Sequence, residues 1–242
     1  NAGIAFDARI QGRPLQFGTS GLLRNSDLVM YDRTTETLWQ QFTGRAIVGD
    51  LLGEWLEPLP TQMMGMGQFA EEYPDGAVLS RDTGYNRSYG RTPYPGYDRP
   101  MQPTSPLGPM GDRRLMPMQR VVGFTLTETD GQQEHEVPAA IPLEALAGTG
   151  ALNFTVAGQD LVALHAPGTS SALDEKEIAE GRDVGTTGLF SARVDGRRLM
   201  FDADGPVFVD QQTGSIWTIS GVAVDGVLTG TQLSPIVHYD TF

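Results

Sequence analysis

Four tyrosines, Tyr85, Tyr89, Tyr94 and Tyr97, stand among four arginines, Arg81, Arg87, Arg91 and Arg99, with Asp82 and Asp98 beside them. Phenol rings stack and donate hydrogen bonds, and guanidinium forks hold anions, so this set can grip an anion or a sugar-like ligand. Arg81, Asp82, Arg87, Tyr89, Tyr94 and Tyr97 are its candidate binding residues. The same residues equally suit a structural task, pinning their loop against its own domain or against a partner. A second polar group is Arg24, Asn25, Ser26 and Asp27, with Gln40 further along. Its competing reading is a longer connection held by Asn and Asp side-chain turns. Seven of the nine methionines lie between Met63 and Met118. Thioether clusters bind Cu(I), which makes Met64, Met66, Met116 and Met118 metal candidates. Methionine also fills irregular gaps and interfaces, and that reading is preferred here.

Several familiar catalytic patterns are missing. "GTSGL" lacks the final Gly of a nucleophile elbow, and no phosphate-cradling glycine pattern follows a predicted strand. His135, His165 and His238 have no metal-ligand spacing. "DTGYN" lacks the remaining acidic ligands of a calcium loop. No cofactor and no reaction are specified by these residues.

Composition narrows the classes further. The chain has 242 residues and a formal charge of −13, from 17 Lys plus Arg against 30 Asp plus Glu. Such a charge repels phosphate backbones, so nucleic acid is not an expected partner. There is no cysteine, which removes disulfides, thiolate metal sites and cysteine nucleophiles from these residues. No apolar run approaches the roughly 20 residues needed to cross a bilayer.

The elements that must position the candidates are announced by a repeat. "FDARIQGRPLQF" from Phe6 and "FSARVDGRRLMF" from Phe190 share seven of twelve positions, where unrelated stretches share about one. Further on, Asp32, Thr35 and Trp39 answer Asp210, Thr213 and Trp217. Each copy alternates apolar and polar residues around Gln11-Gly12 or Asp195-Gly196, which predicts a tight hairpin. A second hairpin, with Arg33 to Glu36 or Gln211 to Gly214 at its tip, completes an antiparallel meander. Trp39, Trp217 and the matched Phe residues are expected in its core. The first copy has six residues more, within "GTSGLLRNSDLVMYD", which predicts a loop that the second copy lacks.

The expected fold class is therefore mainly β with few short helices, as two related antiparallel β-rich halves. Residues 1–120 form the first half, including an arm over 63–120, and residues 121–242 form the second. The arm ends in Pro100, Pro103, Pro106, Pro109 and Pro117, and proline on this scale argues against regular structure in it. In the second half, "RVVGFTLTE" and "NFTVAGQDLVALHA" read as strands and "IPLEALAG" as a helical turn, while "SSALDEKEIAEG" predicts a short exposed helix with a solvated charge run. The repeat offset also leads us to expect roughly 70 further residues before Asn1 and several tens after Phe242.

"FGTSGLLRNSDLVMYDRTTETLWQQFTGRAIVGD", "VLSRDTGYNRSYGRTPYPGYD" and "AEGRDVGTTGLF" resemble the prokaryotic family called domain of unknown function 3179, over nearly the whole chain. The resemblance implies a duplicated β-rich domain, often in exported proteins or lipoproteins, and no activity to carry over. It also implies a Tyr-Cys-Pro-Leu-Cys segment just before the position matching Asn1, and an aromatic continuation past "YDTF". From all of this we expect an extracytoplasmic binding or assembly module, in the periplasm or at the cell surface, with a protein partner or small ligand on the first-half loop and the Tyr/Arg arm. A lipoprotein anchor upstream fits the same picture. The alternatives are a redox or metal-dependent enzyme, copper included, that uses upstream cysteines, and a structural subunit of a larger complex or oligomer.

Overall fold

Gln11 and Gly12 take φ of 51° and 76°, the positive pair that a two-residue hairpin turn requires. They join β2 (Arg9–Ile10) to β3 (Arg13–Pro14), following the short β1 (Ala5–Phe6). The chain continues through β4 (Phe17–Arg24), β5 (Asp27–Asp32), β6 (Leu38–Gln40) and β7 (Arg45–Val48), an antiparallel sheet in sequence order. β8 (Pro58–Leu59) returns to pair with β1. This computed structural model describes residues 3–99, 114–116 and 118–241. The expected proline tract at Pro100, Pro103, Pro106, Pro109 and Pro117 lies outside them.

By its contacts the chain divides into two units. One holds residues 4–61 with 114–116; the other holds residues 62–99 and 118–241 with Gly3. The stretch from Gln62 to Arg99, read from the sequence as belonging to the first half, thus groups with the second meander.

In the first unit, Ile10, Leu15, Trp39, Ala46 and Leu56 form the core, flanked by Phe6, Phe17, Met30 and Leu51. Phe17 meets Trp39 edge to face at 5.7 Å. The extra residues of the first copy do not make a loop. They lengthen the β4–β5 hairpin, whose turn residues Asn25 and Ser26 sit at φ 51° and 66°. Asn tolerates that conformation, so the strands pair through to Arg24 and Asp27 with one irregularity between Thr19 and Leu23.

The second unit begins with α1 (Met66–Glu72). No helix was expected there; the prolines that argued against it all lie further on. β9 (Val121–Asp130) and β10 (Gln133–Pro142) form a long hairpin, and α2 (Leu143–Thr149) follows where the helical turn was predicted. β11 (Ala151–Val156), β12 (Gln159–Ala166) and β13 (Thr186–Ser191) make a three-stranded sheet. β12 reads as an almost unbroken apolar run because both its faces are covered. Leu161 and Ala163 enter a core with Val122, Phe124 and Leu146; Val162, Leu164 and Ala166 enter another with Phe201, Phe208 and Trp217.

The chain then repeats the opening pattern. β14 (Arg193–Val194) and β15 (Arg197–Arg198) form a hairpin over Asp195-Gly196, at φ 48° and 76°. β16 (Phe201–Asp204), β17 (Val207–Asp210), β18 (Ile216–Trp217) and β19 (Ala223–Asp225) form a sheet in sequence order, and β20 (His238–Thr241) pairs with β9. Phe201 meets Trp217 edge to face at 5.6 Å, and Phe190 pairs with Pro235 as Phe6 pairs with Pro58.

The predicted helix in "SSALDEKEIAEG" does not form; only Ile178–Glu180 makes a 3-10 turn. Ser171 and Asp174 are buried instead of capping a helix. The backbone carbonyls of Leu173, Asp174 and Lys176 accept from Tyr97, Gly96 and Thr92. Tertiary partners thus took the groups a helix would have needed.

Candidate functional site

In the first unit, the hairpin tip carries four of the candidate residues. Arg24, Asn25 and Ser26 are exposed, and Arg24 Nη1 donates to Gln40 Oε1 at 3.3 Å. Asp27 Oδ2 accepts from the Phe42 amide at 3.0 Å. These bonds tie the β4–β5 turn to the strand that follows, leaving a polar, solvated ridge.

In the second unit, the segment from Gln62 to Arg99 is fastened at both ends. Gln62 Nε2 donates to the carbonyls of Thr187 and Ile219, both at 3.0 Å. Gly65 N donates to Thr169 Oγ1 at 2.6 Å. Gly65 also comes so close to the backbone that a Cβ there would lie 2.3 Å from Gly168 O, which is why no larger residue fits. Gln68 accepts from the Thr169 and Thr186 hydroxyls, and Glu72 accepts from those of Thr218 and Ser220.

At the other end, Arg91 pairs with Glu177 at 2.6 Å, and Arg99 pairs with Asp174 at 2.7 Å and with Glu175. Tyr97 N donates to Leu173 O at 2.9 Å, and its ring lies 6.1 Å from that of Tyr94. Between these anchors, residues 74–91 form no helix or strand and are exposed throughout. Arg81, Asp82, Arg87 and Tyr89 all fall in that stretch. Arg87 lies over the Tyr85 ring at 5.9 Å, Tyr89 Oη lies 2.9 Å from Thr83 Oγ1, and the Asp82 amide donates to Ser80 Oγ.

Asp98, which stands beside the Tyr/Arg set in the sequence but is not one of its candidate binding residues, centres a hub with Ser171, Arg120 and Arg182 that the sequence did not bring together. Asp98 Oδ2 accepts from Ser171 Oγ at 2.5 Å, Arg120 Nη2 at 2.7 Å and Arg182 Nη2 at 3.2 Å, and its side chain is 0% exposed. Burial pushes this carboxyl up. The bonds from Ser171 and Arg120 and the charges of Arg182 and Arg120 outweigh burial and hold it below the usual carboxylate range. Asp174, held by the Arg182 amide and by Arg99, is likewise lowered.

Two cavities flank this hub. A groove of about 580 Å³ is lined by Met63, Met64, Met66, Phe69, Val78 and Leu79, with Arg120, Thr169 and Ser171. A second cavity of about 470 Å³ is more polar, with Met118, Arg120, His165, Arg182 and Asp183 in its wall. Asp183 is committed to the amides of Gly168, Thr169 and Gly185, and His165 Nε2 lies 3.2 Å from Val184 O. The methionine candidates are divided: Met64 and Met66 line the first cavity, Met118 the second, and Met116 neither. Among the described residues no group of three or more His, Asp or Glu is placed to hold a metal ion, and no helix is long and apolar enough to cross a membrane.

No curated protein matches this chain, and no solved structure matches it. The family signal read in the segments containing Arg24 to Asp27, Arg81 to Asp98 and Arg182-Asp183 is matched over its full extent: the family model described as "Protein of unknown function (DUF3179)" covers residues 1–242, and the chain belongs to that family.

Proposed function

We propose that this protein is a binding module acting outside the cytoplasm, and that the arm between Arg81 and Tyr97 is its contact surface for a protein partner or a small ligand. One observation carries the reading. Tyr85, Tyr89 and Tyr94 are 72%, 44% and 62% exposed, yet the segment bearing them is ion-paired to its own unit at Arg91 and Arg99. Large aromatic rings held in water are what hot-spot contacts use, and anchoring the segment that bears them lowers the ordering cost of binding. Arg87 over Tyr85 adds a cationic face to the same surface. The β4–β5 tip, with Arg24, Asn25, Ser26, Asp27 and Gln40, offers a separate polar surface in the other unit.

The test is site-directed photocrosslinking in the native host. A benzophenone side chain in place of Tyr85 or Tyr94 is expected to give one discrete adduct, abolished by Arg87→Ala, whereas the same probe in place of exposed Leu52 gives none. Identical smears from all three positions would overturn the reading. Cell fractionation of the tagged, full-length protein tests its location, with recovery in the cytoplasm as the opposing result.

A further inference from the structure

The segment from Gln62 to Glu72 presents its polarity the wrong way round. Gln62, Gln68 and Glu72 all turn onto their own unit, bonding to Thr187 O, Ile219 O and Pro167 O and to the hydroxyls of Thr169, Thr186, Thr218 and Ser220. A surface helix ordinarily lays its apolar stripe on the core and its polar side in water. Here Met63, Met64, Met66 and Phe69 line the groove instead, together with Val78 and Leu79. Met66, Val78 and Leu79 are left 60%, 58% and 96% exposed, an apolar surface that calls for a ligand.

The groove wall also says what kind of ligand. Thr169 Oγ1 is engaged by Gly65 N, Gln68 and Thr186, and Ser171 Oγ by Asp98, Arg120 and the Leu173 amide. Arg120, the charged residue among the described lining, is paired with buried Asp98 at 2.7 Å. The Thr169 and Ser171 hydroxyls and Arg120 Nη2 already have protein partners, and a formal charge of −13 disfavours an anion approaching from solution. Thioether side chains adapt to irregular, flexible shapes. At about 580 Å³ the space lies within the range of small-molecule sites, roughly 300–1,000 Å³.

We propose that this groove binds an uncharged small hydrophobic molecule with a flexible aliphatic body. The site is independent of the tyrosine arm: it needs Met64, Phe69 and Leu79, not Tyr85, Tyr89 or Tyr94.

The experiment titrates the neutral fluorescent probe phenylnaphthylamine into the full chain, with decanol and decanoate as competitors. Saturation at one site is expected, with decanol displacing the probe about tenfold more effectively than the charged decanoate. Ala172 also lines the groove; Ala172→Phe, which narrows it, and Leu79→Glu, which charges its exposed rim, are each expected to weaken probe binding by about tenfold with an unchanged circular dichroism spectrum. If Ala172→Phe fails to fold, Leu79→Glu carries the test, because a residue this exposed has no folding role. Non-saturating fluorescence, displacement by decanoate as strong as by decanol, or undiminished binding in Leu79→Glu would each overturn the proposal. Loss of binding in a Tyr85→Ser, Tyr89→Ser, Tyr94→Ser variant would also count against it, by placing the site on the arm.

Discussion

Trp39 donates its indole N–H to Asp32 Oδ2 at 3.2 Å, and both residues are fully buried at the base of one hairpin. Asp32 Oδ1 takes the amides of Thr34 and Thr35 at 3.0 and 2.7 Å, and Oδ2 also takes the Thr35 hydroxyl at 2.7 Å. The same bonds recur around Asp210, from the amides of Gln212 and Thr213, the Thr213 hydroxyl and the Trp217 indole. One carboxylate thus shapes the turn and positions the largest core side chain. Burial pushes the Asp32 carboxyl up, but these four donors outweigh it and leave it lowered.

Removing either carboxylate should therefore leave a buried indole donor and two turn amides without an acceptor. Asp32→Ala and Asp210→Ala are each expected to destabilise their own sheet by about 3 kcal/mol. Urea unfolding, followed by the fluorescence of Trp39 for one and Trp217 for the other, checks this. A loss below about 1 kcal/mol would show the turn to be held by other means.

The Asp98 hub predicts a pH dependence whose sign follows from its lowered carboxyl. A group whose folded value lies below the unfolded one, about 3.9 for Asp, contributes its full stability above the unfolded value. That contribution is lost as pH falls through the folded value. Wild-type stability should therefore drop steeply below about pH 4, and Asp98→Asn should flatten that part of the curve. Near neutral pH, Asp98→Ala leaves the half-buried Arg120 without this partner and should destabilise the unit by about 3 kcal/mol.

The hub was hidden from the sequence because its members are 22, 73 and 84 residues apart, and no local period joins Asp98 to Arg120, Ser171 or Arg182. Hairpins were legible for the opposite reason. Gln11-Gly12 and Asp195-Gly196 write their positive φ values directly into residue type. α1 went unseen because the arm's proline content argues against regular structure throughout it, and its inverted side-chain polarity gives no apolar period pointing at a core. The supposed helix at "SSALDEKEIAEG" has capping residues, but Ser171 and Asp174 bond to distant arginines and Asp98, and local propensity lost to those contacts.

Gly65 offers a backbone test of how the segment from Gln62 onward is attached. A methyl group there would meet Gly168 O at 2.3 Å, which is main chain and cannot swing away. Gly65→Ala should lift the start of α1 off Thr169, breaking the 2.6 Å bond from Gly65 N. Limited proteolysis should then cut within residues 62–72 at a markedly higher rate than in wild type. Equal rates would show that the backbone approach is not required.

Ser26 sits at φ 66° in the β4–β5 turn, where a side chain is strained and glycine is not. Ser26→Gly is expected to stabilise the first unit by about 0.5–1 kcal/mol, read from the denaturant midpoint of the Trp39 signal. A destabilisation of that size would mean that the Ser26 side chain makes contacts worth more than the strain. It would also strengthen the case for the hairpin tip as a site rather than a turn.

The tyrosine arm can be separated from the scaffold by comparing stability with contact. Tyr85, Tyr89 and Tyr94 are exposed, and the Tyr89 hydroxyl lies 2.9 Å from that of Thr83. Replacing all three with Ser should leave the unfolding free energy within about 0.5 kcal/mol of wild type, as for ordinary surface positions. Arg99→Ala should instead loosen the arm's anchored end, since Arg99 bridges to Asp174 and Glu175. Photocrosslinking through position 94 should then weaken even though every tyrosine of the arm except the substituted one is present. If the triple Ser variant loses more than about 1.5 kcal/mol, the rings are structural props, and the exposed surface they form is not kept for a partner.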